Sequence, residues 1–196
     1  PASTGTLNLK SGSKSVTLTG SSSDVSAALT GITAYTGTVS LNSNHTLDQL
    51  KIINNASTGT LNLHTGAKSV ALSGDAADIK AALAGITAYT GNVNIGDSAN
   101  DVILASDINT IDSSATGTIT IDNQIILKGN SDVVQTALAA VTNTGEAKIT
   151  LDDPHTLPEL KAINNATDGA ITLNTKSVTL SGSSSDVAAA LTGITA

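Results

Sequence analysis

Residues Ala2–Leu41 recur without a gap at Ala56–Ile95, identical at 26 of 40 positions. The stretch SVTLTGSSSDVSAALTGIT (Ser15–Thr33) then returns as SVTLSGSSSDVAAALTGIT at Ser177–Thr195. Self-similarity on this scale marks a repeat architecture, in which each unit is one supersecondary element that contacts its neighbours. It constrains function as well as fold. An array of near-identical units makes a ruler, a fibre or an extended surface, whereas catalysis needs a constellation that occurs once.

Two unit types alternate. The longer opens with Thr-Gly and continues as a short strand pattern, a turn, a second strand pattern and a helix, as in Thr4–Ala34. The shorter opens with Thr-Gly and has one strand and a helix, as in Thr36–Ser57. Reading on yields seven units, at about 4–35, 36–57, 58–89, 90–115, 116–143, 144–167 and 168–196.

Period separates helix from strand. Val25, Ala28, Leu29 and Ile32 fall at i, i+3, i+4 and i+7. So do Ile79, Ala82, Leu83 and Ile86; Val134, Ala137, Leu138 and Val141; and Val187, Ala190, Leu191 and Ile194. This spacing predicts amphipathic helices. The shorter units carry a narrower stripe: Leu47, Leu50, Ile53; Ala105, Ile108, Ile111; Leu157, Leu160, Ile163. Thr46 with Gln49 and Thr156 with Glu159 predict capping boxes, with Pro158 in the first turn, and Gly31, Gly85 and Gly193 suit left-handed helix exits. Strand patterns alternate aliphatic with small polar residues: Leu7/Leu9, Val16/Leu18, Val39/Leu41, Leu61/Leu63, Val70/Leu72, Ile119/Ile121, Ile171/Leu173 and Val178/Leu180. Asp122-Asn123 and Asn174-Thr175 read as tight turns that would join the two strands of a longer unit as a hairpin; a corner leading into a second sheet is the alternative.

One unit offers too few aliphatic side chains to offset the ordering of its own backbone, so neighbours must complete its core. The expected fold is an α/β repeat solenoid over residues 1–196, one continuous array with a stacked sheet on one side and helices on the other. A string of small α/β domains is the alternative, disfavoured by the lack of Pro-rich or charged linkers. No polar capping repeat is visible, and Ala196 falls one residue short of the Tyr-Thr-Gly that follows the first two longer units. The expectation is therefore a segment of a longer array, or a protomer whose ends are covered by neighbours.

Composition narrows the partners. Net charge is −7 and all nine basic residues are Lys, with no Phe or Trp, which argues against nucleic acid and anionic lipid. No apolar run is long enough for a membrane span and no signal-peptide pattern opens the chain. Absence of Cys excludes disulfides and thiolate metal sites.

Candidate chemistry is sparse. His45, His64 and His155 lack metal-ligand spacing and read as structural or exposed. Ser11-x-x-Lys14 matches the bare motif of serine acyl-enzymes but sits in a turn that varies between units. Asp97, Asp101 and Asp107, in the insertion Gly96–Asp107, are the calcium candidates, without either an EF-hand or a nonapeptide spacing. Asp112, Asp152 and Asp153 read as caps or solvated loop residues. Asn44, Asn55 and Asn165 open glycosylation acceptor patterns, but Asn54-Asn55 and Asn164-Asn165 fit better as helix ends whose amides bond between coils. Tyr35 and Tyr89 share one junction position and read as partly buried spacers. Outward rows of Thr, Ser and Asn suit ice, glycans or a second copy, although any strand facing water favours such residues.

The phrases TLPELKAINNATDGAITL (Thr156–Leu173), TLDQLKIINNASTGTLNL (Thr46–Leu63) and SSSDVAAALTGITA (Ser183–Ala196) resemble tandem repeats of very large secreted or cell-surface proteins of bacteria, particularly cyanobacteria. The resemblance covers essentially the whole chain and carries no catalytic residue. It implies an extracellular array with adhesive, protective or motility-related duty. The expected function is thus a structural repeat segment, not an enzyme, that self-assembles head to tail into fibres, with no cofactor unless calcium. The alternative is a binding or adhesion module that uses the small polar face for glycan, ice or calcium.

Overall fold

The computed structural model describes residues 9–144 and 146–195. Within them the chain runs β1 (Leu18–Gly20), α1 (Ser22–Leu29), β2 (Val39–Leu41), α2 (Leu47–Ala56), β3 (Leu61–Leu63), β4 (Leu72–Gly74), α3 (Ala76–Leu83), β5 (Val93–Ile95), β6 (Val102–Leu104) and α4 (Ala105–Ser114). It continues through β7 (Ile119–Ile121), β8 (Ile126–Gly129), α5 (Ser131–Ala140), β9 (Lys148–Leu151), α6 (Leu157–Ala166), β10 (Ile171–Leu173), α7 (Ser184–Leu191) and β11 (Ile194–Thr195). The fold is mixed α/β, with three small sheets, the third containing β4, β5 and β7. Two compact units partition the chain, one of Pro1–Val93 with Ser113–Gly117, the other of Asn94–Asp112 with Thr118–Ala196.

In the first unit, β1, β2 and β3 pair in parallel. Their register aligns Leu18, Val39 and Leu61 in one row, and Thr19, Ser40 and Asn62 in the next. Helices α1, α2 and α3 pack in sequence order, and Val25, Leu29, Leu50, Ile53, Ile79 and Leu83 are buried. In the second unit, β6, β8, β9, β10 and β11 form a parallel sheet whose central register is Ile103, Leu127, Ile149, Ile171 and Ile194. These are aliphatic ladders, the core expected of a chain with so few aromatics. Helices α5, α6 and α7 pack in order beside it.

Several expectations are corrected. The two strands of a longer unit do not form a hairpin: β7 and β8 turn a corner at Asp122–Ile125 and enter different sheets, as do β3 and β4. A hairpin would satisfy its strands within one unit, whereas parallel pairing hands each strand edge to a neighbouring unit. The strands are therefore divided among three sheets rather than collected in one. The unit at 90–115 carries a second strand, β6, inside its insertion, so it is built like a longer unit. Strand β1 starts at Leu18, two residues later than the pattern suggested, and leaves Val16 exposed. In α1 the buried stripe is Ser22, Val25, Ser26 and Leu29, with Ala28 exposed. Val178 and Leu180 lie in no strand, and Leu7 falls outside the described residues.

The capping boxes form as expected at Thr46/Gln49 and Thr156/Glu159, with Pro158 in the first turn. Gly31, Gly85 and Gly193 take φ of 79°, 72° and 72°, the left-handed exit that glycine alone adopts without strain.

Candidate functional site

Many residues that recur from unit to unit bond neighbouring repeat units to one another. The Thr-Gly pairs that open the units at Thr36, Thr58 and Thr90 are forks. Thr36 and Gly37 both donate their N–H to the Lys14 carbonyl, at 2.9 and 2.8 Å. Thr58 and Gly59 do the same to Tyr35, and Thr90 and Gly91 to Lys68. Glycine is required there because the next backbone lies against it: a Cβ on Gly59 would stand 2.2 Å from the Gly37 carbonyl oxygen, and one on Gly91 would stand 2.0 Å from that of Val70. The Thr36 and Thr90 hydroxyls add a further bond to the same carbonyls.

Asparagine and lysine of the shorter units hold the next helix. Asn54 Nδ2 donates to the carbonyls of Ala82 and Ala84 at 2.9 and 2.6 Å, satisfying acceptors that the end of α3 leaves open. Asn164 does the same for Ala190 and Thr192 at the end of α7. Lys51 bonds Asp78 at 2.6 Å, which raises the lysine pKa, and Lys161 pairs with Asp186, which lowers that of the carboxylate. The sequence suggested asparagines bonding between units, but their partners are backbone carbonyls of the next helix, and the lysine pairs were not foreseen. Their signal was the repeated phrase Leu-Lys-x-Ile-Asn-Asn, shared by α2 and α6.

Tyr35 and Tyr89 are buried rather than partly exposed spacers. The Tyr89 hydroxyl donates to the Val70 carbonyl at 2.6 Å and Tyr35 bonds Val16 in the same way. His45 is buried, with Nε2 3.1 Å from the Ala67 carbonyl; burial lowers its pKa below 6.5. His155 occupies the equivalent place in the second unit and is buried too. Glu159 completes its capping box, and its pKa is lowered chiefly by the Thr156 N–H, 2.8 Å away.

The other candidates do not converge. Lys14 Nζ donates to the Thr33 carbonyl, and Ser11 lies exposed in a 3-10 turn. Asp101 accepts from the Ser98 N–H at 3.1 Å, while Asp107 lies in the first turn of α4 beyond β6. Among the described residues no three His, Asp or Glu side chains gather as a metal site around Asp97, Asp101 and Asp107 or elsewhere. Asp153 caps the Ser131 N–H and Asp152 accepts from Asn174, each at 2.8 Å. Asn44, Asn55 and Asn165 are exposed.

The in-register polar positions facing outward are Thr19, Ser40 and Asn62 in the first unit and Lys128, Thr150 and Thr172 in the second, where the row continues into the exposed Leu104 of β6. The depressions along the surface are open. One of about 290 Å³ is lined by Asp122, Asn123, Gln124, Asn143 and Glu146. Asn143 is committed there, since its amide donates to the Ile121 carbonyl and accepts from the Ile121 N–H, each at 2.8 Å. No protein-family profile matches this chain, and no curated protein sequence matches it. Among the described residues, no helix is long and apolar enough to cross a membrane.

Proposed function

We propose that this chain is a structural repeat segment of a large extracellular or cell-surface protein, whose α/β coils continue one on another as a solenoid and assemble head to tail. The observation that carries this reading is where the recurring polar residues are spent. The Thr-Gly forks, the Asn54 and Asn164 amides and the Lys51 and Lys161 ion pairs all bond one repeat unit to another. A repeat selected for a reaction would instead keep polar residues turned toward a shared cleft. The resemblance to tandem repeats of giant bacterial surface proteins supports the extracellular setting.

Electron microscopy over rising protein concentration tests it. Rods or filaments of constant width are the expected result; compact, roughly spherical particles at all concentrations would refute it. A second reading, a binding module, draws on the in-register Thr19, Ser40 and Asn62 row. Glycan-array binding, thermal hysteresis or a calcium-dependent melting shift would favour it, through many weak contacts acting together.

A further inference from the structure

The segments Ser15–Thr33 and Ser177–Thr195 differ at 2 of 19 positions, yet they are seated differently. In the first, β1 pairs with β2: the Leu18 N–H donates to the Thr38 carbonyl at 2.8 Å and the Asn42 N–H to Gly20 at 3.0 Å. Helix α2 lies beside α1, and Ser22 and Leu29 are 0% and 1% exposed. The Ser22 N–H, at the first position of α1, donates to Ser43 Oγ at 2.9 Å. Asp153 performs the same service for Ser131 of α5, from the same loop position of the next shorter unit.

In the second segment the helix forms with the same N-cap, Ser183 accepting from the Asp186 N–H. It packs on α6, but its other face is uncovered. Leu180–Gly182, the counterpart of β1, lies in no strand, Ser184 is exposed, and Leu191 is 48% exposed. Nearly identical residues with opposite burial differ in their neighbour, not in their chemistry. We infer that Leu180–Gly182 together with the Ser184 and Leu191 face of α7 is a docking surface for one kind of partner, a strand–helix segment of the type Thr36–Ser57. The interface between β1–α1 and β2–α2 is the filled form of the same surface. It specifies what the partner supplies: a parallel strand for Leu180–Gly182, a hydroxyl or carboxylate for the Ser184 N–H, and an apolar helix stripe over Leu191. The inference rests on the stacked-coil reading above and names the unit type that continues the stack.

The test appends a copy of Tyr35–Ser57 after Ala196, with a scrambled extension of equal composition as control, and reads amide hydrogen exchange and the melting midpoint. The expected result is slowing of the Leu180 and Ser184 amides by about tenfold or more, with a raised midpoint, for the native extension alone. Leu191→Lys should leave the midpoint of the parent chain nearly unchanged and cancel the rise in the extended one. Equal exchange at Leu180 and Ser184 in all three proteins would overturn the docking surface. The Leu18 and Ser22 amides of the same molecules are the reference. If they are protected while Leu180 and Ser184 are not, the docking surface fails and the stacked-coil reading stands; if they too exchange freely, both fail.

Discussion

The Tyr89 hydroxyl lies 3.4 Å from His45 Nε2, bringing together residues 44 positions apart in the first compact unit. The same imidazole nitrogen faces the Ala67 carbonyl, so it carries the hydrogen, and the tyrosine gives its own proton to Val70. Nδ1 is buried without a hydrogen-bond partner. A second proton on the ring would therefore place a charge in this buried position.

This makes stability depend on pH. Burial depresses the His45 pKa below its ordinary 6.5, so the unfolded chain takes up a proton before the folded one does. The contribution is fully present above 6.5 and is lost as pH falls from there toward the folded-state value. Melting curves between pH 7.5 and 5 should show the midpoint falling over that window, and His45→Gln should flatten the slope.

Gly59 and Gly12 should separate close approach from simple flexibility. Alanine at Gly59 meets the Gly37 carbonyl oxygen at 2.2 Å, while at Gly12 nothing lies within 4 Å. Urea denaturation should show Gly59→Ala losing about 1–3 kcal/mol, the usual cost of overpacking, with Gly12→Ala near neutral.

Asn54→Ala removes two hydrogen bonds to the end of α3. A loss of about 1–2 kcal/mol is expected, and faster amide exchange should follow in the last turn of α3 before it appears in α1.

Leu29 and Leu191 occupy one position of the repeat, 1% and 48% exposed. Leu29→Ala should cost about 2–5 kcal/mol, as for a filled core site, and Leu191→Ala well under half as much. Equal losses would mean that the two sites are equally covered in solution.

Much of the architecture was legible in the chain. A period of 3.6 gave helices over Val25–Leu29 and Ile79–Leu83, and the capping boxes gave the starts of α2 and α6. These are local properties, carried by residues within one or two turns of each other. The recurring Thr-Gly was also visible as a mark, but its meaning was not: Gly37, Gly59 and Gly91 answer to a carbonyl some 22 positions earlier, and no local pattern reports a backbone contact at that distance.

The sequence by itself determined the internal repeat, the helix stripes and the aliphatic faces of most strands, because these follow from spacing and composition. Only the tertiary structure decided that the two strands of a longer unit part at a corner, that Val102–Leu104 is a strand, and that Tyr89 and His45 meet. Pairing partners in a parallel sheet are supplied by other units, so identical residues such as Leu29 and Leu191 take different environments according to what lies beside them.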